Sequence, residues 1–379
     1  MPSSAEWDDG DRRKRARLRV VVPAPRPVWR EVVDADPNAL VYHTPEWVDC
    51  VCSTGPYEDA TRLYETWDGR LLVLPMVRRA YAGGAFSRQG SFPPGWGSGG
   101  VLSRHPLRPE DIASVYADLS SQRNVLRTFI QPCSRTSAAW SAAPMPGVKS
   151  VPRLAHVLDL GGGFDAVWQK RFTGSARTAV RKAEKSGVVV EHDTTGALLP
   201  QFLDLLERSR ERWAQQQHEP LLLARWRARH SNSLAKFRAI AAAVPASFHL
   251  YLAQHEGRAV AGILVYHKAG VMYSRGAMIK ESAGPVRANY LLHRLAIENA
   301  CEDGCTFYDF GESGASRQLA QFKTRFGATP TPYREYIVER LPLTEIDRAL
   351  RKGVKRIIRF REPESSPTAA ETSIPRGGG

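Results

Sequence analysis

The sequence has no uninterrupted apolar run near the roughly 18–20 residues that a membrane-spanning helix needs. Its first twenty residues are polar, with an Arg/Lys cluster where a signal peptide would be apolar, so a cytoplasmic protein is expected. Cysteine is scarce. Cys50, Cys52, Cys133, Cys301 and Cys305 form no four-ligand zinc pattern, and an odd number argues against a disulfide framework, so reduced, packed thiols are expected. There is no GxSxG, and the ten histidines stand in no HxxxH or HExxH arrangement, which excludes the motif-bearing hydrolases and gives no metal site.

Hydrophobic residues at 42% and charged residues at 24% are globular values, and they exclude a mostly disordered or fibrous chain. At 379 residues, two domains are the default expectation. Fifty-three Lys and Arg against 39 Asp and Glu leave a net charge of +14. That surplus suits RNA, nucleotide phosphates or an anionic lipid surface, although Arg12 to Arg19 places six basic residues in what reads as a tail.

Met1 to about Leu18 and Glu362 to Gly379 lack apolar periodicity and are expected to be disordered. Residues 21–150 read as a first domain. It starts with two β-prone runs, Thr61 to Trp67 and Arg70 to Arg78, meeting at a favoured Asp68-Gly69 turn. Tyr81 to Gly100 reads as a Gly/aromatic loop, shaped either by a ligand or by its own aromatics packing down. A helix over Pro109–Ser121 and a strand over Asn124–Gln131 follow, and Ser134 to Pro152 reads as an interdomain connection. Residues 151–340 read as a second domain: a strand at Ala155–Leu160, a single basic helix over Phe164–Ser186 and a strand at Val188–His192. Helices over Leu198–Gln217 and Leu223–Ala243 come next, then a meander of Phe248–Gln254, Arg258–His267 and Val271–Met278. The pattern ends helix, strand, helix, strand at Arg287–Cys301, Thr306–Phe310, Ala315–Arg325 and Tyr333–Val338. This order implies an α+β fold with mixed sheets flanked by helices. Residues 341–361 read as a basic amphipathic helix.

In such a sheet a cleft opens where the strand after the Arg287 helix parts from its neighbour. Three segments converge there: Tyr308-Asp309-Phe310-Gly311-Glu312-Ser313-Gly314, Gln321-Phe322-Lys323-Thr324-Arg325-Phe326-Gly327, and the meander strand with Tyr273. Asp309 and Glu312 are candidate proton acceptors or helix caps, and Tyr273 a candidate substrate donor or packing residue. Arg177, Arg181 and Lys182 share one broad helical face suited to phosphates or to solvent, and Arg287 and Arg325 add cations nearby.

The YDFGESG and QFKTRFG segments followed by a Tyr-rich strand resemble the second half of the Fem-type (FemABX) aminoacyl transferases and of BioF2-like acetyltransferases within the GNAT superfamily. The helix Arg171-Phe172-x4-Arg177-x3-Arg181-Lys182-Ala183 and the loop Phe92-Pro93-Pro94-Gly95-x3-Gly99-Gly100 are similar to further family features, and the resemblance covers about residues 40 to 340. It implies two tandem GNAT-like domains and transfer of an acyl or aminoacyl group to an amine. It also implies that Lys323 stabilises the oxyanion beside the activated carbonyl.

The acetyl-coenzyme A enzymes of the superfamily cradle pyrophosphate with (Q/R)xxGx(G/A). The matching stretch here, Lys280 to Asn289, has one glycine and Pro285, which removes a donor. An aminoacyl-tRNA donor is therefore expected, with acyl-CoA as the alternative and no tightly bound cofactor. The acceptor implied is a small amine or a cell-wall precursor of a bacterium. A catalytically silent scaffold that binds RNA or makes peripheral contact with an anionic membrane is the third reading.

Overall fold

The computed structural model describes residues 18–216, 219–222, 233–314, 316–346 and 348–349. The expected terminal tails, the start of the Leu223–Ala243 helix and most of the 341–361 helix lie outside these residues, while 343–346 and 348–349 are helical.

The first half carries strands β1 (Arg19–Val21), β2 (Glu58–Asp59), β3 (Arg62–Glu65), β4 (Leu71–Leu74), β5 (Val77–Tyr81), β6 (Phe86–Gly90), β7 (Leu102–Ser103) and β8 (Val125–Ile130). Its helices are α1 (Arg26–Ala35), α2 (Pro45–Thr54), α3 (Pro109–Ser121) and α4 (Ser137–Ala142). The second half carries β9 (Lys149–Asp159), β10 (Val189–Asp193), β11 (Phe248–His255), β12 (Arg258–His267), β13 (Val271–Met278), β14 (Phe307–Glu312) and β15 (Thr329–Glu339). Its main helices are α5 (Gly174–Lys185), α6 (Leu199–Gln216), α7 (Leu234–Ala243), α8 (Ala288–Glu302) and α9 (Arg317–Arg325).

The α+β class with mixed sheets stands. A small sheet, β1-β3-β4-β7, holds the hairpin expected at Asp68-Gly69. Eleven strands form the second sheet, in the order β10-β11-β12-β13-β14-β9-β15-β8-β6-β5-β2. It runs through both halves because β15 pairs with β9 over Thr329–Ile337 and with β8 over Tyr336–Glu339. β12 sits at the centre of the meander, and its run from Val260 to His267 is buried throughout, as a strand covered on both faces must be.

Three expectations need correction. Ser134–Pro152 is structured: it holds α4 and the start of β9, and the buried Trp140 stacks on Tyr336 at 5.2 Å. Tyr81–Gly100 is not one loop, since β5 and β6 form a hairpin whose turn uses Gly83 and Gly84 at positive φ. Nor is Phe164–Ser186 one helix. A turn at Gly163–Ala166 passes into a π-turn at Val167–Arg171 and stops at Phe172; Thr173 then caps α5 by accepting from the Ala176 N–H. α5 ends as expected at Gly187, whose φ of 74° supports a Val188 N–H bond back to the Ala183 carbonyl.

The halves meet through aromatics. Tyr42 and Trp47, beside and on α2, pack on Tyr266 of β12 at 6.0 and 5.2 Å, and Trp47 also meets Trp96 at 5.8 Å. On the other sheet face, α5 and α8 cover a second core that includes Val265, Leu292, Tyr308 and Phe326. The five cysteines are free thiols, and Cys50, Cys133 and Cys305 are buried. Among the described residues, no helix is long and apolar enough to cross a membrane.

Candidate active site

β13 and β14 run parallel, but they pair only at Val271–Tyr308 and Met272–Asp309. Beyond that point they part. β14 also slips its register against β9 between Asp309 and Glu312, where Gly311 takes a φ of 67°. A cavity of about 370 Å³ opens in the gap. Tyr273, Ser274 and Arg275 line one side, and Asp309, Phe310, Gly311 and Glu312 the other. The first half closes it with Tyr42, Trp47, the loop Gly95–Ser98, Gln131, Pro132 and Ser134.

Asp309 is 2% exposed. Its carboxylate accepts from the Gly311 N–H at 2.7 Å and from Ser134 Oγ at 3.1 Å. Burial nevertheless dominates and pushes its pKa up to about 6, against the opposing pull of these donors and of Lys323. Glu312 is half-exposed. It accepts from the Tyr333 hydroxyl, which in turn accepts from Gln131 Nε2 at 3.0 Å, and Arg153 lies 3.6 Å away.

Lys323 is 2% exposed and lies behind the cavity wall rather than on it. Its ammonium donates to the carbonyls of Gly311 and Glu312, both at 2.8 Å. Ser316 caps α9 by accepting from the Leu319 N–H, which fixes the helix that aims Lys323 inward. Burial lowers its pKa to about 8, opposed by Asp309 and Glu312. Lys323 thus lies behind the wall rather than against the space where an oxyanion would form, and two of its three N–H donors hold the backbone that carries the two acids.

The phosphate-binding candidates do not gather at the cavity. Arg177 donates to the carbonyls of Trp168, Gln169 and Phe172 at 3.1, 3.1 and 2.7 Å, so it caps the π-turn. Arg181 and Lys182 are exposed on α5. Arg287 is exposed at the start of α8 with a φ of 59°, and Arg325 is exposed and donates to the Tyr290 hydroxyl at 2.8 Å.

Sequence reasoning missed several wall residues: Tyr42, Trp47, Gln131, Ser134, Tyr266 and Arg275. It also missed Lys236 on α7, which is buried, donates to the Gly95 carbonyl at 2.7 Å and sits 4.1 Å over the Trp96 ring. Burial, then the charge of Arg275, lowers its pKa to about 7. Lys236 thereby fastens the glycine loop to the second half. The Gly/aromatic composition of that loop was the one available signal.

The stretch between β13 and α8 is closed rather than open. Lys280–Ala283 forms a helical turn in which the N–H groups of Ala283, Gly284 and Arg287 bond to the carbonyls of Ile279, Lys280 and Gly284. Pro285 contributes no donor.

Residues 170–324 match the family model described as an acetyltransferase (GNAT) domain. Among solved structures, FemX aligns over 86% of this chain and 99% of its own, with a TM-score of 0.61 and 14% identity. The C-terminal domain (DUF2156) of a putative lysylphosphatidylglycerol synthetase from Agrobacterium fabrum aligns over 81% and 92%, with a TM-score of 0.46 and 10% identity. A tandem GNAT protein from the clavulanic acid biosynthesis pathway aligns over 85% and 98%, with a TM-score of 0.46 and 13% identity. No curated protein matches the chain. At 14% identity, the likeness to FemX is one of fold.

Proposed function

From a GNAT-type acetyltransferase domain set in a Fem-type fold, we propose an N-acyltransferase that moves an aminoacyl group from aminoacyl-tRNA to an amine held in the cavity. The observation that carries this reading is the buried Asp309 on the cavity wall where β13 and β14 part. An amine enters as its ammonium, which the two acids, Asp309 and Glu312, favour electrostatically. It must lose a proton before it can attack. Asp309, titrating near 6, is ionised at neutral pH and accepts that proton.

The nitrogen then attacks the ester carbonyl. A C–N bond forms, the C–O bond to the ribose breaks, and the second N–H proton passes to the departing ribose oxygen. Arg275 lines the same space and supplies a positive charge near the developing oxyanion. Lys323 is a positioning residue, because its two bonds fix the Gly311 turn on which Asp309 and Glu312 depend.

The closed turn at Lys280–Ala283 favours a donor other than acyl-CoA, because N–H groups spent internally cannot cradle a pyrophosphate. The net charge of +14 suits a polyanionic carrier. The test offers purified protein a mixture of charged tRNAs and acyl-CoA esters with an amine-rich extract, and identifies the products by mass. Aminoacylated amines that vanish on ribonuclease treatment are expected. Acylation from acyl-CoA without tRNA would move the reading to the coenzyme donor, and no transfer from either would leave a binding scaffold.

A further inference from the structure

A second, open groove lies beside the cavity. Its floor is the face of the large sheet formed by β5, β6, β8, β15 and β9, and its volume is about 660 Å³. Gly95, Gly97 and Gln131 line both spaces and form the partition between them.

Strand register places three arginines side by side on that floor. Arg79 on β5 pairs with Arg88 on β6, and Arg88 pairs with Arg127 on β8. Neighbouring strands stand about 4.8 Å apart, so the three form a cationic row about 10 Å long. Like charges set directly opposite one another on a sheet face are destabilising. Arg127 is offset by Glu339, which lies 3.6 Å away at the next position on β15. Among the described residues, Arg79 and Arg88 have no acidic partner; both guanidinium groups lie over the Tyr81 ring, at 5.3 and 5.8 Å. Both side chains are exposed. Glu335, which lines the groove, is already bonded to Arg153 at 2.8 Å. Two residues along the same strands, toward the partition, comes an uncharged row: Val77, Gly90, Phe129 and Ile337. Gly90 has no side chain to cover Phe129, which is half-buried.

We propose that this groove takes the unpaired 3′ end of an RNA, with phosphates on the arginine row and bases on the apolar row, and leads its terminal ribose to the cavity. The proposal rests on aminoacyl-tRNA being the donor. Its support is charge complementarity: two cations held opposite each other without an acid are stabilised when an anion lies between them, and the arginine fork suits phosphate oxygens. Cationic grooves with aromatic surface beside them are the usual hold on single strands. Four residues separate Arg127 from Gln131 at the partition, about 13 Å of extended chain. A strand whose terminal ester sits in the cavity therefore passes its preceding phosphates over the row. Arg348, exposed and on the same lining, adds a further cation.

The test uses the full chain and an uncharged acceptor-stem RNA hairpin, with or without its unpaired 3′ end, in filter binding across a salt series. Arg79→Gln with Arg88→Gln should leave the melting temperature unchanged or raised, because the pair of changes removes a like-charge contact. It should weaken binding of the tailed hairpin at least about tenfold at low salt and lower the salt slope by about 1.4, two phosphates at about 0.7 each for a single strand. Removing the unpaired end should cost the wild type a comparable affinity and the double variant almost none. Arg208→Gln with Arg258→Gln, at exposed cations that do not line the groove, should leave the dependence on the unpaired end intact. Wild-type affinity that ignores the unpaired end, or a loss on its removal that persists in full without Arg79 and Arg88, would overturn the assignment and leave the tRNA donor standing. Saturable binding of inorganic pyrophosphate that needs Arg79 and Arg88, with RNA affinity untouched by their loss, would overturn it in favour of a small phosphorylated ligand. Absence of affinity for any RNA would remove the donor reading as well.

Discussion

Replacing Asp309 by asparagine removes a charge while keeping the shape, and the two readouts it affects should move in opposite directions. The wild-type carboxyl is pushed from an ordinary 3.8 up to about 6 by burial. At about 1.36 kcal/mol per pH unit, ionising it in the folded chain costs about 3 kcal/mol more than in the unfolded chain. The native state therefore binds this proton more tightly, so the contribution of Asp309 to stability is greatest below about pH 4 and falls as pH rises toward 6. Above that it is level. The substituted amide has nothing to ionise, can still accept from the Gly311 N–H, and meets a Ser134 hydroxyl able to donate or accept. The Asp309→Asn variant should thus match wild type near pH 4 and exceed it by about 1–3 kcal/mol at pH 7, read by urea unfolding at both pH values. Its transfer rate should fall about 10²–10⁴-fold, since no general base remains on the wall. A variant that kept its rate to within tenfold would refute the assigned role, and one less stable than wild type at pH 7 would refute the burial argument.

The pH–rate profile of the wild type should be bell-shaped. It should rise through about 6 as Asp309 ionises and fall through about 8 as Lys323 loses its proton and its grip on Gly311 and Glu312. Lys323→Met should lower the rate and remove the alkaline limb in stopped-time assays, while leaving affinity for uncharged tRNA within about twofold in filter binding. Gly97→Ala adds a Cβ 2.5 Å from the Tyr42 ring at a φ of 98°; it should cost about 1–3 kcal/mol in thermal unfolding and raise the acceptor KM by displacing a cavity wall. Arg177→Ala should destabilise the chain by freeing three carbonyls without changing the salt dependence of RNA binding, whereas Arg181→Ala with Lys182→Ala should lower that salt slope and leave stability nearly unchanged.

What could be read from the sequence was what local spacing encodes. The Asp309 turn, the Lys323 helix and the meander each sit within a few residues of their own signals, and the parting of β13 from β14 followed from their order. Lys323 was placed on the right element, but its partners were not legible, because two backbone carbonyls carry no sequence signature. Arg177 misled for a related reason. Phe164, Trp168 and Phe172 recur every four residues and read as one helical face, which hides the break that Arg177 caps. Tyr42 and Trp47 stand far along the chain from Tyr266 and meet it only through tertiary packing. The cluster of His249, His267 and Asp303 was silent because its members come from three separate elements, and a search for close spacing cannot find them.

The closed turn after β13 supports the proposed tRNA donor over a coenzyme. If a coenzyme supplied the acyl group, its pyrophosphate would draw on N–H groups between β13 and α8, where those of Ala283, Gly284 and Arg287 are already satisfied and Pro285 has none. Opening that turn would break three backbone hydrogen bonds and leave their carbonyls to solvent, a cost the phosphates would have to offset before any affinity appeared. A polyanion docking on the exposed cations makes no such demand. Its reactive ester would reach the cavity from outside, and the cavity needs room only for the amine and the aminoacyl end, to which about 370 Å³ is suited. Lys236 belongs to the same logic. By holding the Gly95 carbonyl it keeps the glycine loop, one wall of the cavity, against the second half.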